Sequence, residues 1–124
     1  MKIIYSSKQT EEICTDFKKA KKFFGGQEKI ALSLHARINA LKNATALKDI
    51  IIQPQMRFHK LYNKGKNNNL LGYYAIDVKN VSDKWRLIIR PLDDDFKGYI
   101  QCDIDKIADS TKNIEIKEVS NHYE

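Results

Sequence analysis

The sequence is poor in cysteine, the residue whose disulfide bonds stabilise many small folds. Only two of its 124 residues are cysteines, Cys14 and Cys102, and they form no CxxC pair. This scarcity excludes a disulfide scaffold and a zinc ribbon, and it suits a reducing cytosol. We interpret both as free core thiols, because unpaired cysteine is among the most buried residue types.

Long apolar runs are also absent. No run approaches the ~18 residues that a membrane helix needs, and the apolar stretch 3–5 is too short for the core of a signal peptide. We therefore expect a cytoplasmic protein that neither spans a membrane nor is exported. With 42% hydrophobic and 31% charged residues, residues 1–124 should form one globular domain.

Acidic residues are scarce in the first half of the chain. Residues 1–66 hold 14 Lys or Arg against 5 Asp or Glu, a net charge of +9, whereas residues 67–124 hold 8 against 11, a net charge of −3. A basic half is typical of proteins that bind a polyanion, and nucleic acid is the main polyanion of a cytosol. The same lysines could instead simply solvate exposed helix faces, and composition leaves both interpretations open.

Helical periodicity follows a short edge strand at 1–5. Ser6 and Ser7 offer N-caps, and Ser6 with Gln9 fits a capping box. Apolar residues three or four apart predict one helix ending at Gly25-Gly26 and a second over 27–42. The stripes are Ile13, Phe17, Ala20 and Phe24, then Ile30, Leu34, Ile38 and Leu41. The short connection predicts a helical hairpin, and one further turn is expected over 46–50 before Pro54.

After Pro54 the period becomes alternating, as in strands. Segments 57–62, 73–78, 85–90 and 114–119 are strand-like, and a helical turn is expected over 104–108. In the third segment Trp85, Leu87 and Ile89 should face one way, and Arg86, Ile88 and Arg90 the other. This order predicts an α+β fold in which the helical hairpin covers one face of a mainly antiparallel sheet. The other face would be open to Arg and His side chains, with Arg57 and His59 on the same face of their strand.

No metal-ligand spacing, nucleophile elbow, P-loop or dinucleotide fingerprint occurs, so we expect no cofactor. Phosphate-active side chains are instead spread over the strands and the C-terminus: Arg57, His59, Lys60, Lys64, Arg86, Arg90, His122 and Tyr123. Such residue types suit metal-independent RNA cleavage by the 2′-hydroxyl, which needs proton transfer and cations on the transition state. A strand histidine can also be purely structural, and the polar loop around Lys64 and Lys66 can be a flexible hairpin or a basic finger.

Four segments, in this order, resemble the HigB toxins of the RelE/ParE superfamily. They are Arg57-Phe58-His59-Lys60-Leu61, Gly72-Tyr73-Tyr74-Ala75-Ile76-Asp77, Trp85-Arg86-Leu87-Ile88 and Glu118-Val119-Ser120-Asn121-His122-Tyr123. The basic N-terminal helices are similar too, so the resemblance covers most of the chain. It implies a RelE-like fold with a curled sheet of four to five strands.

The resemblance also implies a function. HigB toxins are the toxin half of type II toxin–antitoxin systems, and they cut mRNA in the ribosomal A site. The implied partners are that mRNA and a HigA-like helix-turn-helix antitoxin, through which alone the protein would contact DNA. No membrane partner is implied.

Site residues carry over from the family by position. His59 matches the family's acid or base, Lys60 and Lys64 its phosphate-handling lysines, and Arg86 the arginine that would neutralise the scissile phosphate. The C-terminus departs from the family's Asp-Tyr-His. Here Asn121, His122 and Tyr123 stand in that place, and either of the last two could act in catalysis. Arg57, Lys66, Arg90 and Asn121 complete the candidate RNA-binding set.

Two other functions stay open at this stage. ParE-type members of the same superfamily inhibit DNA gyrase by binding it without cleavage, on the same scaffold. An RNA-binding module without catalysis is the third possibility.

Overall fold

The computed structural model describes residues 1–61, 71–99 and 103–122, and in these ranges the fold is α+β. The helices are α1 (Lys8–Thr15), α2 (Phe17–Phe23), α3 (Glu28–Asn43), α4 (Lys48–Ile51) and α5 (Ile104–Ile107), with one 3-10 turn at Pro54–Met56. The strands are β1 (Lys2–Tyr5), β2 (His59–Lys60), β3 (Tyr74–Asp77), β4 (Arg86–Leu92) and β5 (Asn113–Ser120). Helices precede most of the strands, as predicted.

The five strands form one sheet in the order β1-β5-β4-β3-β2. Strand β1 runs parallel to β5, and all other neighbours are antiparallel, so the predicted mainly antiparallel sheet is confirmed. The predicted curl is not observed. The two edge strands, β1 and β2, lie at opposite ends of the order and do not pair, so the sheet stays open.

The predicted first helix is broken into two. Residue Asp16 leaves the helical conformation (φ −117°, ψ 114°), and its carboxylate accepts a hydrogen bond from the backbone N–H of Lys19 at 3.2 Å. Asp16 thus ends α1 and caps α2, while the apolar stripe continues across the break. At the start of α1 the cap is Ser7, which accepts from Thr10, and Ser6 instead donates to the carbonyl of Lys117.

The helices pack on one face of the sheet and form the main core with it. Leu34 and Leu41 of α3 are fully buried there, against Ile76, Leu87 and Ile89 of the central strands. The opposite face carries a second, smaller apolar cluster of Leu61, Ala75 and Ile88, against which Tyr73 packs. The predicted alternation in β4 is therefore confirmed, since Leu87 and Ile88 lie in different clusters. None of the helices in the described ranges contributes to this cluster, and we call this second surface the helix-free face.

The strand predicted over 57–62 begins later than expected. Pro54–Met56 forms a 3-10 turn that ends at Arg57 in the left-handed conformation (φ 45°, ψ 51°), and β2 consists of His59–Lys60. Arg57 is therefore not part of a strand. It reaches the helix-free face through its long side chain rather than through strand alternation.

None of the helices within the described ranges is both long and apolar enough to cross a lipid bilayer.

Candidate functional site

A buried carboxylate organises one end of the helix-free face. Asp77, at the end of β3, is only 4% exposed and faces two arginines. The Nε atom of Arg57 donates to both carboxylate oxygens, at 2.9 and 3.0 Å. The Nε atom of Arg86 lies 3.2 Å from Oδ1, within ion-pair distance but without hydrogen-bond geometry. The two guanidinium groups therefore share one carboxylate, and one positive charge is left over. We call these three residues the Arg57–Asp77–Arg86 cluster.

Arg86 lies inside the protein rather than at the surface. Its side chain is 4% exposed, and its Nη atoms donate to the backbone carbonyls of Trp85 (2.8 Å), Val81 (3.0 Å) and Asn80 (3.3 Å). A buried charge requires a partner. Here the partners are Asp77 and the connection between β3 and β4, so the structure places Arg86 where it fixes that connection.

Arg57 is the member of the cluster that reaches solvent. Its side chain is 40% exposed. Its backbone is held in the sparsely populated left-handed region. Such a conformation costs about 1–3 kcal/mol in a residue other than glycine and persists only where its surroundings fix it. The ion pair to Asp77 provides one such constraint, and a hydrogen bond from His59 provides the other.

His59 lies directly beside this cluster. Its Nδ1 is 2.6 Å from the carbonyl oxygen of Arg57. A carbonyl can only accept, so Nδ1 carries a proton, and the tautomer that fits this contact has its lone pair on Nε2. His59 pairs with Ala75, which places the half-buried imidazole on the helix-free face. Its neighbour Lys60 pairs with Tyr74 of the main core, so Lys60 points to the other side of the sheet.

The end of β5 approaches the same place. Ser120 pairs with Arg86 across β4 and β5, and the backbone N–H of His122 donates to the Ser120 hydroxyl at 3.0 Å. Asn121 and His122 are exposed there. The candidates Tyr123, Lys64 and Lys66 lie outside the described residues, as does Cys102.

A third group of residues lies farther along the helix-free face. The Arg90 guanidinium is 5.5 Å and the Lys117 Nζ 4.8 Å from the centre of the Tyr73 ring. Sequence reasoning identified Arg90 but missed Lys117. The alternation Ile114-Glu115-Ile116-Lys117 could have identified Lys117. Both isoleucines are buried in the main core, so the residues that alternate with them face away from it.

Other chemistry-bearing groups lie away from this face. Cys14 is buried in the main core, as predicted, and burial raises its thiol pKa to about 12, so it is not a nucleophile. The pKa of Tyr5 is likewise raised to about 12 by burial. Tyr5 lines a shallow groove at the β1 edge, the opposite end of the sheet from His59. No group of three His, Cys, Asp or Glu residues in the described ranges is arranged to hold a metal ion.

The fold and this site define a class: an α+β domain with a helix layer on one sheet face and cationic side chains and a histidine on the other. No family model and no curated protein matches the chain.

Proposed function

We propose that this protein is the toxin of a type II toxin–antitoxin system, a cytoplasmic HigB-like endoribonuclease that cuts mRNA on the ribosome. The observation that carries the proposal is the position of His59 beside the Arg57–Asp77–Arg86 cluster, on the sheet face without helices. A proton-transfer group and an anion-binding cation are thereby adjacent. The sequence resemblance to HigB toxins, the helix layer on one face of a mainly antiparallel sheet and the basic N-terminal half support the same proposal.

His59 acts as the general base in this mechanism. With Nδ1–H fixed on the Arg57 carbonyl, the Nε2 lone pair takes the proton of the ribose 2′-hydroxyl. The 2′-oxygen then forms a bond to phosphorus, and the bond between phosphorus and the 5′-oxygen breaks. His122 or Tyr123 protonates the leaving 5′-oxygen, and His122 lies at the β5 end that pairs with Arg86.

Arg57 neutralises the phosphate as negative charge develops on it. It is the exposed guanidinium of the cluster, and the single Asp77 carboxylate cannot neutralise both arginines. Arg86 acts through Asp77 and is a positioning residue. This assignment transfers the direct phosphate contact from Arg86 to Arg57, because Arg86 is buried and its donors are directed at backbone carbonyls.

The partners in this proposal are mRNA in the ribosomal A site and a HigA-like helix-turn-helix antitoxin. An acidic segment of the antitoxin would suit the exposed lysines of α2, namely Lys18, Lys21 and Lys22.

A translation extract with a reporter mRNA, mapped by primer extension, tests the proposal. Wild-type protein should create new 5′ ends in translated message and none in the same message without its start codon. His59→Ala should slow cleavage by about 10²–10⁴-fold, as expected for loss of a general base. Lys112→Ala, at an exposed lysine before β5, is the matched control and should cut normally.

Absence of new 5′ ends with the wild-type protein would refute the nuclease proposal. A parallel supercoiling assay with purified gyrase identifies the alternative, because only a gyrase inhibitor stabilises double-strand breaks in DNA.

A further inference from the structure

Tyr73, Arg90 and Lys117 form a cationic cluster on the helix-free face. The two cations lie over the Tyr73 ring, at 5.5 Å for the guanidinium carbon and 4.8 Å for the lysine nitrogen. Both distances are within the ~6 Å range of cation–π contacts. Tyr73 also packs on the cluster of Leu61, Ala75 and Ile88, so the ring that holds both cations is itself anchored to the sheet.

No carboxylate of the described residues forms an ion pair with either cation. Over residues 1–61, 71–99 and 103–122, the ion pairs involve other lysines and arginines. Glu115 is the cross-strand neighbour of Arg90, yet it forms no ion pair with it. A pair of positive charges held against an aromatic ring, without an anionic partner, is suited to an external anion.

Backbone features on both sides fix the two cations. The Arg90 guanidinium occupies the space that a Cβ atom on residue 98 would need, so Gly98 lets it lie directly against the loop after β4. Lys117 stands at the register shift between β4 and β5, where Ile116 pairs with Ile89 and Glu118 with Ile88. The bulge leaves Lys117 unpaired in the ladder and turns its side chain toward Tyr73.

The cationic cluster shares its face with His59 and Arg57. Along β3 and β4 the cluster is four residues from Asp77 and Arg86, which corresponds to about 13 Å. An RNA strand bound at His59 can therefore continue across the face to Lys117.

We propose that Arg90, Tyr73 and Lys117 form a second phosphate-binding site, which holds the RNA backbone beside the linkage that His59 attacks. The inference rests on the proposed function, and it adds Lys117 and Tyr73 to the substrate-binding residues. Tyr73 positions the cations, and Arg90 and Lys117 contact the phosphate. A contact of this kind is independent of base sequence.

The test is the binding of a fluorescent single-stranded RNA oligonucleotide, measured by anisotropy from 20 to 200 mM salt. Lys117→Gln should bind several-fold more weakly across different RNA sequences, and the slope of log K against log salt should become shallower by about 0.7–1. Lys112→Gln is the control with the same charge change and should keep the wild-type slope. Gly98→Ala keeps both cations but displaces Arg90, and it should weaken binding as Arg90→Gln does. Glu115→Gln should strengthen binding.

Failure of this inference is distinguishable from failure of the nuclease proposal. If Lys117→Gln leaves RNA affinity and salt slope unchanged, the second site is refuted even when mRNA is cleaved. The same holds if the wild-type protein does not bind RNA at 20 mM salt, or if Lys117→Gln weakens only the binding of an acidic polypeptide such as polyglutamate. If Lys117→Gln weakens RNA binding while the extract shows no cleavage, the second site stands and the nuclease proposal fails.

Discussion

At the residue scale, the two arginines that share Asp77 have different environments and should have different roles. Arg57 is 40% exposed, whereas Arg86 and Asp77 are each 4% exposed. Removing one partner of a buried ion pair leaves an uncompensated buried charge, which costs about 3–5 kcal/mol. Solvent screens the charge of an exposed partner, so its removal costs less. We therefore expect Arg86 to contribute mainly to stability and Arg57 mainly to the proposed activity.

We predict that Arg86→Ala lowers the free energy of unfolding by about 3–5 kcal/mol. The substitution removes a buried guanidinium that donates to three backbone carbonyls, frees the connection between β3 and β4, and leaves Asp77 with Arg57 as its remaining arginine. Arg57→Ala should lower the free energy of unfolding by less, about 1–3 kcal/mol, while strongly reducing mRNA cleavage, since Asp77 loses two hydrogen bonds but keeps Arg86 as its counter-charge. Urea denaturation and primer extension measure the two effects. A stable Arg86→Ala variant with an unstable Arg57→Ala variant would contradict the assignment.

Cys14 makes stability depend on pH in the alkaline range. Burial raises the thiol pKa from about 9 in the unfolded chain to about 12 in the folded one. The thiol's contribution is complete below pH 9, and it is lost as the pH rises from 9 toward 12, because only the unfolded state then releases the proton. We predict a loss of at most about 1.4 kcal/mol per pH unit from this group. Cys14→Ala should be less stable at pH 8 but show a shallower decline in urea titrations between pH 8 and 10. An equal slope in both proteins would contradict the shift.

At the element scale, the break between α1 and α2 depends on one capping carboxylate. Asp16 accepts the N–H of Lys19 and has extended backbone angles. We predict that Asp16→Ala lowers the free energy of unfolding by about 1 kcal/mol, whereas Asp16→Asn, which retains an accepting oxygen, stays within a few tenths of the wild type. Urea denaturation measures both. Equal losses in the two variants would show that the carboxylate is not acting as a cap.

The elements that sequence periodicity predicted are those whose apolar faces are buried in the main core. The stripe Ile30, Leu34, Ile38 and Leu41 located α3 within one residue at each end, and alternation located β4 and β5. Periodicity missed the break at Asp16 because the stripe runs through it. Periodicity also placed Arg57 in a strand. The 3-10 turn at Pro54–Met56 ends at Arg57, and so short a turn does not change the apolar pattern of the sequence.

The candidate site was predictable only in part, for a related reason. His59, Arg57 and Arg90 were found as residue types that handle phosphate, and strand alternation placed Arg86 and Arg90 on one face. Whether an arginine reaches solvent depends on long-range partners that local pattern does not encode. The burial of Arg86 depends on Asp77, nine residues earlier on the neighbouring strand.

At the scale of the whole molecule, positive charge is divided between two sides of the sheet. The lysines of α2 are exposed on the helix layer, among them Lys18, Lys21 and Lys22. Arg57, Arg90 and Lys117 lie on the helix-free face with His59. Under the proposed function, we expect the lysines of the helix layer to raise the rate of encounter with a polyanion such as ribosomal RNA. We expect the cations of the helix-free face to act on the bound substrate.

If the two groups of charges act in this way, the lysines of α2 should affect KM and the residues of the helix-free face should affect kcat. The triple variant Lys18→Gln, Lys21→Gln and Lys22→Gln should raise the KM for programmed ribosomes and leave kcat close to wild type, because these lysines are remote from His59. The KM difference should shrink as salt rises above about 0.15 M, where the Debye length falls below ~8 Å. His59→Ala should lower kcat with little change in KM. Single-turnover cleavage of translated message over a range of ribosome concentrations measures both constants. A fall in kcat for the lysine variant equal to that of His59→Ala would mean that catalysis does not reside on the helix-free face alone.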